Sequence, residues 1–381
     1  MGENETKIHG NLSKANKTPL YEGDGDNAIV HGHTLTNWNP DNSEPNSIII
    51  EYVTNENVNE NGLKIQTDNN GNIIAGAFGS GSAAFGTKSQ ALGGKSFAEG
   101  SKTIAFANNS HAEGNSTFAV AQNTHAEGYK TTALGYNSHA EGRDTKAIGD
   151  NSHTEGESTE AFGKSSHSEG TNTKSIGDYS HAEGYGTEVR TIVSHAEGNY
   201  TIASGEISHA EGYNSQAEGR VSHAEGYNTQ TIGEASHSEG RETKATGDSS
   251  HAEGYKTTAL GYNSHAEGRD TKASGPNSHA EGNTTVAYGN QSHAEGMGTY
   301  AYHSQHAQGR YNVVDTESQY AHIVGNGESD LKRSNAHTLD WKGNAWFAGT
   351  VEATGLILKS PNGTRFMLTV DDTGELATKA I

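Results

Sequence analysis

Ser110-His111-Ala112-Glu113-Gly114 opens a run of near-identical blocks that ends at Gly296, and the spacing of these blocks decides the fold. Histidine recurs at His111, His125, His139, His153, His167, His181, His195, His209, His223, His237, His251, His265, His279 and His293, a step of 14 residues without a slip. Glutamate follows two residues later in every copy, at Glu113, Glu127, Glu141, Glu155, Glu169, Glu183, Glu197, Glu211, Glu225, Glu239, Glu253, Glu267, Glu281 and Glu295. A period this strict is the mark of a solenoid, in which each turn of chain stacks on the one before it.

From about residue 75 the unit resolves into two halves of seven, Ser-His-Ala-Glu-Gly-x-x and Thr-x-Ala-x-Gly-x-x, well shown by His125 to Tyr136. Glycine closes each half, with Ala107, Ala121 and Thr191 as exceptions. Alternate residues of a strand face opposite ways, so Ser, Ala and Gly share one face while His and Glu share the other. This predicts a flattened β-coil of five strand residues and two turn residues, twice per turn. Only the smallest side chains point inward. Glycine at each strand end provides a positive φ or a tight bend, and pairs such as Tyr136-Asn137, Arg143-Asp144 and Tyr213-Asn214 form the turns. About 16 coils at the usual strand spacing make a rod of roughly 75 Å.

Composition alone points elsewhere. Large aliphatic residues are few and the formal charge is −21, a combination typical of disorder. The 14-residue register overrides that reading, because a narrow solenoid packs Ala, Ser and Gly. With 47 Asp plus Glu against 26 Lys plus Arg, neither nucleic acid nor an anionic membrane surface is an expected partner. There is no cysteine, so disulfides and thiolate metal sites are excluded. Residues Met1 to Lys7 show no apolar signal region, and no long apolar run follows, so neither classical secretion nor membrane insertion is expected.

The repeats divide the chain into three. Residues 1–74 read as a β-rich attachment or capping module, with strands at Ile48 to Val53 and at Leu63 to Ile65, the latter turning through Asn70-Gly71 to Ile73 and Ile74. Residues 75–303 form the roll. Its end is set where His306-Ala307-Gln308-Gly309 arrives one residue early. Residues 304–381 read as a β-rich module able to bury a conventional core, with strands at Ala345 to Val351 and Arg365 to Val370, and turns at Lys342-Gly343-Asn344 and Pro361-Asn362-Gly363.

Stacked coils place each Glu beside the next Glu and each His beside the next His, so like charges form a column. The opposite face varies freely, as Lys146 and Ile148, Glu160 and Phe162, and Gln216 and Glu218 illustrate. A face that is uniform along the chain implies a uniform environment, which a symmetric oligomer supplies. The His/Glu face is therefore expected between chains, with His of one copy near Glu of the next. A histidine gaining such a partner has a raised pKa, and its stabilisation fades as pH rises.

The paired Ser-x-Ala-x-Gly-x-x half-units resemble the head repeats of trimeric autotransporter adhesins of the YadA type. That resemblance implies an all-β fold, a homotrimeric left-handed parallel β-roll, over about residues 75 to 303. The chain departs from the family in carrying His and Glu where aliphatic residues stand at the second and fourth positions. The run Tyr320 to Gly327, with Ser334 to Trp341 and Gly343 to Gly349, resembles a C-terminal domain of phage tail fibre and tailspike proteins linked to an autoproteolytic intramolecular chaperone, and Ser360 to Leu376 resembles a terminal hairpin of phage minor structural proteins. These imply a non-enzymatic trimeric fibre of a phage or tailocin, assembled in the host cytoplasm and carried on the virion. Its partners would be tail or baseplate proteins through the N-terminal segment, and a host cell-surface glycan or protein. A bacterial surface adhesin, and a tailspike that degrades glycans or cleaves itself, are the alternatives.

The repeated Ser-His-Ala-Glu invites comparison with a catalytic triad, yet adjacent Ser and His point to opposite faces and cannot act as nucleophile and base. No cofactor is called for. Three histidines around a threefold axis could ligate an ion, as could His31 and His33, which share one face of an extended strand, but solvated or Glu-paired rows are the expected state.

Overall fold

The computed structural model describes residues 27–30, 33–36, 64–67, 73–353 and 356–381. Among these there is no helix. Two parallel ladders run the length of the repeat region. One is built of 17 successive five-residue strands from Ala83–Thr87 to His306–Arg310, and the other mostly of two-residue strands such as Phe118–Ala119 and Thr132–Ala133. Neighbouring rungs pair in register 14 residues apart, so that His125 lies on His139, Ala126 on Ala140 and Glu127 on Glu141. The expected β-coil is thus present, but its halves are unequal.

Parity sorts the side chains. Ser110, Ala112 and Thr117 are fully buried, and alanines from Ala91 to Ala147 and from Ala245 to Ala307 stack into continuous inner columns. The inward serine does more than fill space. Ser138 Oγ donates to Gly135 O at 2.7 Å and Ser152 Oγ to Gly149 O at 2.6 Å, a bridge across the turn that recurs along the roll. A hydroxyl at this position satisfies a carbonyl that the parallel ladder leaves over.

Glycine plays two parts. At the end of the long strand it takes a positive φ, +98° at Gly212 for instance, and a Cβ there would fall 2.3 Å from Gly226 O. In the second half φ is ordinary and only the close approach remains, a Cβ on Gly205 falling 1.9 Å from Gly219 O. All three natural replacements, Ala107, Ala121 and Thr191, sit in the second half, where the backbone does not need φ > 0. Most halves then end on a non-glycine residue in the left-handed region, often asparagine, with Gly81, Gly186 and Gly298 as exceptions. These asparagines pair down the rod, Asn109 Nδ2 to Asn123 Oδ1 at 3.0 Å and Asn123 Nδ2 to Asn137 Oδ1 at 2.9 Å. Val193, Ile207 and Val221 occupy the same conformation with φ of 56–58°, an uncommon state for branched side chains.

The ladder continues past residue 303. His306 pairs with His293 across the 13-residue coil, and Tyr320–Asn326 adds a further parallel rung, His322 on His306. Two antiparallel strands, Asn335–Asp340 and Ala345–Phe347, then close this sheet. The end is sealed by polar groups. Gln305 Nε2 donates to Asp315 Oδ2 at 2.6 Å, Asn312 holds both backbone groups of Tyr300, and Arg333 Nη1 donates to Gly298 O at 2.8 Å and Asn312 O at 3.0 Å while its guanidinium covers the Tyr300 ring. The early arrival of His306 is the sequence trace of this cap.

At the other end the hairpin expected at Asn70-Gly71 is formed by Lys64–Thr67 and Ile73–Ala77, and Ile73–Ala77 joins the short-strand ladder. The strand proposed at Ile48 to Val53 and the residue His31 lie outside the described residues. Only the backbone of His33 is described, in the strand His33–Thr36.

The C-terminal module corrects one expectation. Leu356–Lys359, Arg365–Val370 and Leu376–Ala380 form an antiparallel sheet, with the turn expected at Pro361 to Gly363, yet within one chain they bury no conventional core. Trp341, Trp346, Leu356, Val370 and Leu376 are all exposed. The strand beginning at Ala345 is also shorter than expected and stops at Phe347.

Candidate functional site: a histidine and glutamate ladder

The long strands carry His and Glu outward, two residues apart, in the pattern His-Ala-Glu with Ala buried between them. In-register stacking makes each a column. Imidazole rings from His111 to His306 lie 4.6–4.9 Å apart and within 15° of parallel, a spacing that the sheet itself imposes. The column is longer than the repeat that announced it. Phe85 and Phe97 precede His111, and His322, His337 and Phe347 follow His306. Sequence reasoning missed Phe85, His322, His337 and Phe347 because they lie outside the strict 14-residue step, and Phe97 because it is not a histidine. Phe97 alone carried a signal, standing one period before His111.

Histidine and glutamate meet within a single chain. Nε2 of His111, His125 and His139 lies 3.4–3.5 Å from Oε2 of Glu113, Glu127 and Glu141 on the same strand. At His167, His181, His195, His209, His223, His251 and His265 the gaps widen to 3.7–3.9 Å. Beyond that His279, His293 and His306 turn to Glu267, Glu281 and Glu295 of the preceding coil, His293 to 3.2 Å of Glu281. A copy of the chain is therefore not needed to bring His to Glu. Only the His293 contact is short enough to be a hydrogen bond. Nε2 of His111, His125, His139, His167, His181 and His195 is shielded from solvent and makes none.

The expected direction of the histidine pKa is reversed. Burial, followed by the neighbouring imidazoles of His111 and His139, pulls His125 down despite Glu127 nearby, and His167 falls to about 4 for the same reasons. His195, His209, His223, His251 and His279 are lowered likewise. At these histidines burial first, and then the neighbouring imidazoles, disfavour the charged form. The glutamates resolve their repulsion by alternation. Carboxyl-to-carboxyl hydrogen bonds with Glu225, Glu253 and Glu281 raise Glu211, Glu239 and Glu267 to about 7, while Glu225, Glu253 and Glu281 are lowered as acceptors. Such a row titrates as a unit. An open groove runs beside it, lined by Glu183, Glu197, Glu211 and Glu225 and by the glycine row from Gly198 to Gly240.

Ser and His of each block do not meet. Ser138 Oγ is turned inward to Gly135 O, and His139 stands on the outer face, half-buried.

A parallel β-solenoid of 14-residue coils with an outward ladder is the class this geometry defines. Residues 77–103, 126–152, 252–271 and 266–292 match the family model of the YadA head domain repeat, so these stretches of the roll are similar to YadA-type head repeats. No curated protein matches the chain.

Proposed function

We propose that the chain is the rod of a non-enzymatic homotrimeric fibre that attaches a particle to a host surface, most simply a tail fibre of a phage or tailocin. The observation that carries the reading is the repeat itself. Head repeats of this type suggest a trimeric-adhesin-like fibre, and a rod whose outer face is uniform over its length fits rotational symmetry about an axis parallel to it.

The C-terminal sheet adds independent support. Residues directly opposite in antiparallel strands share a face, which places Leu356, Leu358, Phe366, Leu368, Val370 and Leu376 together on one side of the sheet. The other side is mixed, with Lys359, Arg365, Thr369 and Lys379 beside Ile357, Met367 and Ala377. A three-stranded sheet with one apolar face needs a second layer, and two further copies of the same sheet supply it. The tail particle rests on the resemblance of Tyr320 to Gly349 and Ser360 to Leu376 to phage fibre segments.

Sedimentation equilibrium of the full chain tests the assembly, with three copies expected and a monomer fatal to the reading. Phe366→Asp with Leu368→Asp should release monomers whose circular dichroism keeps the roll. Attachment is tested by binding to candidate host cells. Purified fibre that decorates cells, with the gene lying among tail and lysis genes, supports the phage reading. The adhesin reading draws its support from the repeat match itself, and display of the protein on the surface of the cell that makes it would favour that alternative.

A further inference from the structure

We propose that the His/Glu ladder is a binding site for divalent zinc, each ion held by two successive histidines and the glutamate between them. Five such triads, from His111, Glu113 and His125 to His181, Glu183 and His195, have one donor atom per residue all within 4.8 Å of one another. Zinc bonds to imidazole nitrogen and carboxylate oxygen are about 2.0–2.2 Å long, so two ligands at a tetrahedral angle lie about 3.4 Å apart. The His111 to Glu113 and His125 to Glu127 gaps of 3.4 and 3.5 Å are already at that separation. They are long for a hydrogen bond.

The polar atoms themselves call for a partner. Nε2 of His111, His125, His139, His167, His181 and His195 is out of solvent and unbonded. An unprotonated Nε2 would direct its lone pair at a carboxylate, and a protonated one would leave its proton short of an acceptor. An ion between them satisfies both groups. The second imidazole, stacked 4.6–4.7 Å from the first in these pairs, closes on the ion by leaning about an ångström, a motion that ring rotation allows. A set of two imidazoles and one carboxylate favours zinc over the harder calcium and magnesium.

Successive triads share a histidine, so filling one triad blocks the next and the rod saturates at roughly half as many ions as triads. Equilibrium dialysis of the untagged full chain against zinc at pH 7.5, with metal counted by mass spectrometry, should give several ions per chain and a raised melting temperature. Calcium should give neither. His125→Gln, His139→Gln and His181→Gln together dismantle five triads and should remove about three ions while circular dichroism stays that of a roll. Glu113→Gln, Glu141→Gln and Glu169→Gln leave the imidazole stack intact and should weaken binding at those rows at least tenfold. Zinc X-ray absorption should show imidazole scattering from two rings. Fewer than one ion per chain at micromolar free zinc, or a stoichiometry that neither variant changes, overturns the proposal.

Discussion

Gly212→Ala and Gly205→Ala separate two reasons for glycine that the repeat superimposes. At Gly212 a Cβ meets Gly226 O at 2.3 Å and the backbone stands at φ +98°. At Gly205 the contact is tighter, 1.9 Å from Gly219 O, but φ is ordinary. Contact alone would make Gly205 the costlier site. Ala107, Ala121 and Thr191 occupy the equivalent second-half position, where Ala107 is wholly buried and Thr191 Oγ1 donates to Gly205 O at 2.6 Å, so neighbouring coils can yield to a side chain there. The φ requirement has no such relief. An L-residue forced into a glycine-only region costs about 1–3 kcal/mol, and crowding adds roughly 1–3 kcal/mol. Gly212→Ala should therefore lose about 2–6 kcal/mol, and Gly205→Ala about 1–2 kcal/mol. A solenoid of this length need not unfold in one step, so the loss should be read locally, by amide hydrogen exchange in peptides spanning residues 198–226, with melting temperature as a second measure. Equal protection in the two variants, or a larger loss at Gly205, would refute the assignment.

Four further outcomes follow from the same geometry. Because eight histidines of the column have lowered pKa values, their contribution to stability is present above the unfolded histidine pKa and is lost as pH falls from about 6.5 toward 4. Glu211, Glu239 and Glu267, raised to about 7, oppose this with stability that is lost as pH rises through 7, but they are fewer. Melting should therefore drop between pH 6.5 and 4.5, and a higher melting temperature at pH 4.5 than at pH 7 would contradict it. Val221→Asn replaces a branched residue at φ 58° with one that accepts that conformation, and should raise the stability of the isolated chain by roughly 1 kcal/mol in thermal melts. Arg333→Ala leaves Gly298 O and Asn312 O without their donor and should cost about 1.5–3 kcal/mol, seen as faster exchange confined to residues 298–334. Ser138→Ala removes a buried donor to Gly135 O and should cost about 1–2 kcal/mol by melting, whereas the outward His139→Gln should cost less.

Much of this molecule is written in its local pattern. The 14-residue step at His111 to His293 determines a stacked coil, because a chain that repeats its spacing repeats its conformation and buries each turn on the last. Strand parity then determines that Ser110 and Ala112 go in and His111 and Glu113 go out, since alternation needs only neighbours along the chain. The tertiary structure decided what depends on neighbours 14 residues away or at the ends. The two halves differ because only the long strand ends in a φ that glycine alone tolerates comfortably. His125, His139 and His167 have lowered pKa values because burial and flanking rings outweigh the adjacent carboxylate, a balance set by distances of a few ångströms. Glu211 and Glu225 differ in pKa although their local sequences are the same, since two carboxyls that share a proton cannot both be ionised. Arg333 became the cap because the 13-residue coil at His306 brings Gly298 and Asn312 to face it.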